Sequence, residues 1–362
     1  MHILHVETGR HFYGGAQQVV YLCKGLRERG VRNTLVCPPG SAVSAAATLA
    51  GIDVVEIKCS GDLDLLFKRR LTRVIRELRP QVVHCHSRRG ADVLGGRAAR
   101  HAGVPVVLSR RVDNPELATV ARARYAPFAA IIAISENVRR SLLAAGVSDD
   151  RVKLIRSAVA TEGLPPPISA AAWRREFSLT PGAIVIAIVA QFIERKGHRY
   201  LLEALPDLRQ RHPEVKVVFF GQGPLEDEMR QYATGLGVAD AVRFAGFRSD
   251  LDTLLAQVDI LVHPATAEGL GISMLKAAAA GLPVVAFDVA GAQEAVVDQQ
   301  TGVLVRAGSV TGLLHALSKL IENPALREQY GLAGQQRMRQ EFSIDTMTDR
   351  HMAVYGSVIN GE

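Results

Sequence analysis

No apolar run in this chain approaches the roughly 18 residues needed to span a bilayer. Ala183 to Ala190, among the longest, is the size of a strand. The N-terminus lacks the basic, apolar and small-residue succession of a secretory signal and opens directly into a strand pattern, His2 to Val6. Metal-ligand spacing is missing from the cysteines: Cys23, Cys37, Cys59 and Cys85 stand apart in apolar settings. Reduced core thiols in a cytoplasmic protein are therefore expected. What is present is globular material, 362 residues with 48% hydrophobic and 22% charged side chains. That length predicts two domains of roughly 150–200 residues each.

The charge divides unevenly. Residues 1–165 hold 25 Lys and Arg against 14 Asp and Glu, a net of +11, whereas the remainder holds 18 against 22, a net of −4. A strongly basic first half predicts an anionic partner for that half, and no nucleic-acid partner is expected. Short apolar runs alternate with helical patterns in both halves, which predicts α/β domains with parallel, doubly wound sheets. Pro165-Pro166-Pro167 interrupts the alternation and predicts domains at 1–164 and 165–342, followed by a helix within 343–362. Ligands of such sheets bind at the carboxyl ends of strands, so the strand-end segments carry the functional reading.

The most informative segment runs from Asp259 to Asp288. An apolar strand, Ile260 to Val262, leads into the turn Glu268-Gly269-Leu270-Gly271. A helix follows from Ile272 to Ala280 with Gly281 placed to cap it, then a second strand from Val284 to Phe287. Unpaired amides and the helix dipole converge at such a turn and make an anion site, with Glu268 beside it. Lys276 lies eight residues after Glu268, roughly 12 Å along a helix at about 1.5 Å per residue. That separation suits a ligand with a diphosphate in its middle.

Other strand ends add to this. Gly14-Gly15 opens a helix after the first strand and permits close approach of a phosphate or sugar, although a plain loop-to-helix junction has the same residues. His84-Cys85-His86 ends another strand; at i and i+2 its histidines are expected on opposite faces, unable to share a metal. Ser109-Arg110-Arg111 presents two guanidiniums suited to a carboxylate or phosphate, before Asp113-Asn114-Pro115 turns the chain away. The helix from Leu65 to Arg79 carries six Lys and Arg residues with Leu71, Val74, Ile75 and Leu78 on one face. It reads either as a membrane-surface helix or as one packed on the sheet with solvated arginines. Asp62-Leu63-Asp64 ahead of it reads as a helix start. Gly221-Gln222-Gly223-Pro224 lacks the third glycine of a dinucleotide fingerprint, so NAD binding is weakly supported.

Together these segments resemble the GT-B-fold retaining glycosyltransferases of family four, of the bacterial envelope type, along nearly the whole chain. The resemblance rests on Gly14-Gly15, His84-Cys85-His86, Gln191 to Gly197, Gly221 to Pro224, Phe244 to Phe247 and Glu268 to Gly271. It implies two Rossmann-like domains facing across a cleft, with the last helix returning to the first domain. It also implies transfer of a sugar from a nucleoside diphosphate donor, with retention and without a metal or other cofactor. Catalytic roles fall to Glu268, holding sugar hydroxyls near the reacting carbon, and to His86, orienting the sugar. Donor binding falls to Gly14, Gly15, Gln191, Arg195, Lys196, Gly223, Phe247, Gly269, Leu270, Gly271, Ile272 and Lys276. Arg110 and Arg111 would meet an anionic glycan or glycolipid acceptor, with peripheral contact to the inner face of the cytoplasmic membrane. Relatives carry Arg at Gln191, Glu at Lys276 and often Asn at Ser157. These departures leave open a catalytically silent nucleotide-sugar binder, and the fold also admits a nucleotide-sugar epimerase.

Overall fold

The computed structural model of the chain describes residues 1–87, 90–112 and 116–361, so the turn expected at Asp113-Asn114-Pro115 lies outside the described residues. Two compact units emerge, Met1–Ala158 with Ile344–Glu362, and Val159–Ser343.

The first unit is built on seven parallel strands: β1 (His2–Val6), β2 (Arg32–Cys37), β3 (Asp53–Glu56), β4 (Val82–Cys85), β5 (Val106–Arg110), β6 (Ala130–Ala133) and β7 (Val152–Leu154). Their order, β3-β2-β1-β4-β5-β6-β7, reverses direction between β1 and β4. Strand alternation divides the core into two layers. Ile3, Val82, Val107 and Ile132 pack with Leu22, Leu26 and Tyr355 on one face. Leu4, Val83, Leu108 and Ile131 pack with Phe67, Leu71 and Phe128 on the other. The helix Ile344–Asn360 belongs to this unit, where Arg29 pairs with Asp345 (2.8 Å) and Asp349 (2.6 Å).

The second unit has six parallel strands: β8 (Ile184–Val189), β9 (Val215–Phe220), β10 (Val242–Gly246), β11 (Ile260–His263), β12 (Val284–Phe287) and β13 (Gly302–Val305). Their order is β10-β9-β8-β11-β12-β13, with the reversal between β8 and β11. The division falls after Ala158 rather than at the proline run. The Val159 amide already donates to the Phe342 carbonyl (2.9 Å), and the prolines precede a helix, Ala170–Phe177, whose Trp173 and Phe177 pack on Phe220.

Four α-helices among the described residues have no counterpart in the sequence-based reading: Ala118–Tyr125, Ala170–Phe177, Ala290–Ala295 and Pro324–Glu341. The last is capped by Asn323, whose side chain accepts from the Leu326 amide at 3.3 Å, with Pro324 in its first turn. Gly331 stands inside it because a Cβ there would lie 1.9 Å from the Gly281 carbonyl oxygen.

Candidate functional site

In the second unit the reversal between β8 and β11 opens the place where a doubly wound sheet binds ligands. Beyond β8, the turn Glu194–Lys196 brings Lys196 toward the loop that follows β11. Arg195 ties the two loops together: its guanidinium donates to the Ala267 carbonyl (3.0 Å), and its own carbonyl accepts from the Thr266 amide (2.9 Å). Gly271, at φ +75°, turns the chain into the helix Ile272–Ala279, a backbone conformation that a side chain would strain. The first amides of that helix have no partner within it and point out of its N-terminus.

Glu268 sits at this junction as the acceptor of three donors. Its Oε2 accepts from the Lys196 ammonium and from His263 Nε2 (2.9 Å), and its Oε1 accepts from the Gly269 amide at 3.1 Å. Burial alone would raise its pKa, but the His263 hydrogen bond and the Lys196 charge outweigh burial and hold it well below the usual carboxylate range. Burial keeps His263 below the ordinary imidazole value despite the Glu268 charge. A neutral ring that donates from Nε2 must accept at Nδ1, where Ser273 Oγ stands 3.5 Å away. A carboxylate has about four acceptor positions, and three are taken, so Glu268 keeps one on Oε1 for a ligand hydroxyl.

The remaining expected donor residues divide. Gln191 is exposed beyond β8, and Phe247 is 53% exposed beyond β10. Gly223 abuts the Phe192 backbone. Leu270 is buried, so its contribution to any ligand is limited to its main chain, and Ile272 is half-buried against the core. Lys276 donates to Asp252 Oδ1 at 2.8 Å. His263 and Asp252 were absent from the sequence-based set. His263 ends an apolar strand before a proline, and Asp252 stands in an ordinary helix start, so neither has a local signal.

The first unit holds a cavity of about 350 Å³ at the β1/β4 reversal, lined by Glu7, His11, Tyr13, Gly15, His86 and Arg111 among others. Gly14–Glu28 forms the expected helix, with Gly15 beside the Arg111 side chain. Burial pushes the Arg111 guanidinium down to about 10, partly offset by Glu7, and its buried Nε has no partner among the described residues. Glu7, raised by burial, accepts from the Gly9 amide at 2.7 Å. Arg110 differs from the expected pair of free guanidiniums. As the last residue of β5 it is buried and lies 3.6 Å from Glu116, which also pairs with Arg124 at 3.0 Å.

The two histidines of the His84-Cys85-His86 segment are not on opposite faces. Strand pairing stops at Cys85, so alternation no longer governs His86, and the two rings lie 3.8 Å apart between centroids. His86 Nε2 meets His5 Nδ1 at 2.9 Å, and ligating atoms of His5, His84 and His86 lie within 4.8 Å of one another. His84 is engaged on both nitrogens, by Tyr355 Oη (2.6 Å) and Ser109 Oγ (2.9 Å). Burial lowers the pKa of all three, to about 3 for His5, so the cluster is neutral and bonded chiefly to itself and its neighbours. His86 reaches the cavity wall with its Nδ1 without a partner among the described residues.

Residues 169–337 match the family model described as glycosyl transferases group 1, and residues 13–162 match that of glycosyltransferase family 4. The chain is 25% identical over 360 residues to the lipopolysaccharide core biosynthesis glycosyltransferase LpsD of Rhizobium meliloti, covering 98% of both chains. It is 34% identical over 179 residues, 47% of each chain, to a GDP-mannose-dependent phosphatidylinositol monomannoside mannosyltransferase of Mycolicibacterium smegmatis. Among solved structures, Anabaena HepE in complex with UDP-glucose superimposes with a TM-score of 0.86 at 21% identity, covering 99% of this chain and 100% of that one.

Proposed function

We propose that this chain, a glycosyltransferase of the GT-B fold with a family 4 domain in its first half and a group 1 domain in its second, moves a sugar from a nucleoside diphosphate donor onto an anionic acceptor, with retention. The donor belongs to the second unit. The observation that carries this is the cluster of Glu268, Lys196 and His263 at the β8/β11 reversal, beside the N-terminus of Ile272–Ala279. As the bond from sugar to diphosphate breaks, charge grows on the leaving diphosphate. Lys196, Arg195 and the helix amides supply fixed positive potential for it without a metal ion. Glu268, with one acceptor position left, holds a sugar hydroxyl and keeps negative charge near the electron-poor reacting carbon. Retention rests on the likeness of the Glu268 to Gly271 loop to the retaining family, and proton NMR of the product's anomeric centre tests it.

The acceptor belongs to the first unit, where Arg111 has a donor without a partner among the described residues, in a cavity that His86 also lines. A carboxylate or phosphate on a lipid-linked or polysaccharide acceptor of the cell envelope fits it, in keeping with the lipopolysaccharide core role of LpsD. Binding and slow hydrolysis of UDP-, GDP- and ADP-sugars by the purified protein test the activity. One donor is expected to bind and to release its nucleoside diphosphate slowly without acceptor. Binding of none overturns the reading.

The reading extends to the inner face of the cytoplasmic membrane. No helix among the described residues is long and apolar enough to cross a membrane, and the apolar stripe of Leu65–Leu78 packs inward through Phe67, Leu71 and Ile75. Membrane contact would instead use the start of that helix, where Leu63, Leu65 and Leu66 are 93%, 67% and 64% exposed beside the exposed Arg69, Arg73 and Arg76. Leucines that enter the interface next to arginines that meet lipid phosphates make a two-part anchor. Sedimentation should show binding to anionic but not neutral vesicles, weakening as salt rises. Leu63→Ser with Leu66→Ser should lower it several-fold. Equal binding to both vesicle types, or to neither, would remove the membrane from the reading.

A further inference from the structure

Lys276 brings an ammonium, which can only donate hydrogen bonds, to the position eight residues after Glu268. In the structure that ammonium holds a carboxylate, Asp252 Oδ1 at 2.8 Å. Asp252 comes from a different element, the short helix Leu251–Leu254 that follows β10. It is half-buried, and Lys276 is more so. Helix Ile272–Ala279 and helix Leu251–Leu254 both begin beyond the carboxyl ends of their preceding strands, β11 and β10, the side on which doubly wound sheets bind their ligands.

We propose that Asp252, positioned by Lys276, is the carboxylate that binds the ribose hydroxyls of the donor nucleotide; this rests on the donor reading above. Two observations support it. First, Asp252 Oδ2 has no hydrogen-bond partner among the described residues, and Lys276 has spent one of its three donors. A vicinal diol fits that vacancy on both sides, donating one hydroxyl to Oδ2 and accepting from the ammonium at the other. Second, the pair is neutral as a unit. A lone Lys276 would leave the diol without an anionic acceptor, and a lone carboxylate would add repulsion toward the diphosphate; together they avoid both. An acidic residue past a strand end is the usual partner of a ribose hydroxyl in sheets of this type. The competing reading is a solvent-facing ion pair of little consequence.

The test is internal to each variant. Dissociation constants are measured by calorimetry for UDP, GDP, ADP and pyrophosphate, and the tightest nucleotide is compared with its 2′,3′-dideoxy analogue. The parent protein should prefer the ribonucleotide by about tenfold or more, as expected for hydrogen bonds to a charged acceptor. Asp252→Asn should bring that ratio close to one while leaving pyrophosphate affinity unchanged. Lys276→Met should lower the ratio part of the way, and the exchange Asp252→Lys with Lys276→Glu should restore it by returning a carboxylate to the same place. A ratio unaltered in Asp252→Asn, or no preference in the parent, overturns the assignment while leaving the donor reading standing. Failure of the parent to bind any nucleotide or pyrophosphate overturns both.

Discussion

Glu268→Gln should lower sugar transfer by about a hundredfold or more, an effect of the size seen when one charge-stabilising group is removed from an active site. The substitution keeps the shape of the side chain and removes its charge. In the parent, Oε2 takes donors from Lys196 and His263, and Oε1 takes the Gly269 amide. A glutamine has one acceptor oxygen and one donor nitrogen, so one of these contacts becomes donor against donor in either orientation. The local positive charge also rises by one next to a reacting carbon that itself becomes positive. Turnover should therefore fall through kcat, whereas donor affinity changes little or tightens as the diphosphate meets a less neutralised Lys196.

Stability separates this role from a purely structural one. The folded-state pKa of Glu268 lies below its ordinary value of 4.5, because the His263 bond and the Lys196 charge overcome the cost of burial. A carboxylate of lowered pKa contributes its full stabilisation above the unfolded value and loses it as pH falls through the acid range toward the folded value. The difference in melting temperature between parent and Glu268→Gln should therefore be constant near neutrality and shrink below about pH 4.5. Unchanged turnover with the correct donor would remove Glu268 from catalysis. Unchanged kcat per folded molecule with lower stability would make it a structural carboxylate.

The sequence reveals strands more clearly than it reveals pairings. Strands such as Ala130–Ala133, Ile184–Val189 and Val284–Phe287 are continuous apolar runs, because parallel sheets covered on both faces need no alternation. Helix Pro324–Glu341 is harder to read: it has few buried positions and two internal glycines, and Gly331 makes sense only once Gly281 is known to lie against it. The loop Glu268 to Gly271 and Lys196 stand out because each is a local pattern at a strand end. Their contact spans 72 positions and depends on β8 and β11 being neighbours. Asp252 is further from view, since its meaning comes from a lysine on another helix. His86 lies one residue past the end of β4, where strand alternation no longer sets the face of a side chain. Arg110 and Arg111 look equivalent in sequence and both line the cavity, yet Arg110 stands against Glu116 whereas the buried Nε of Arg111 has no partner among the described residues.

Lys196→Ala should weaken diphosphate binding by about ten- to a hundredfold, the range for loss of a charge-assisted contact, and leave nucleoside binding nearly unaltered. The structure adds a second consequence. Lys196 is bonded to Glu268, so the ammonium uses one of its three donors before any donor arrives and keeps two for phosphate oxygens. Donor binding thus need not break the Lys196–Glu268 pair; the ammonium bridges sugar-side carboxylate and diphosphate. Removing it strands a largely buried carboxylate, and breaking such a pair costs up to about 3–5 kcal/mol when no other partner remains. His263 and the Gly269 amide do remain, so the loss in stability should fall below that range, and the Glu268 pKa should rise toward its ordinary value. Calorimetry with uridine, UDP and pyrophosphate, or the corresponding set for the base that binds best, separates the two effects. A general loss of fold weakens all three ligands alike, whereas loss of a phosphate contact weakens only UDP and pyrophosphate. Lys196→Arg should recover part of the diphosphate affinity, since it restores charge with altered reach. Equal weakening of nucleoside and diphosphate in Lys196→Ala would show that the ammonium serves Glu268 alone, and the leaving diphosphate would then rest on Arg195 and the helix amides.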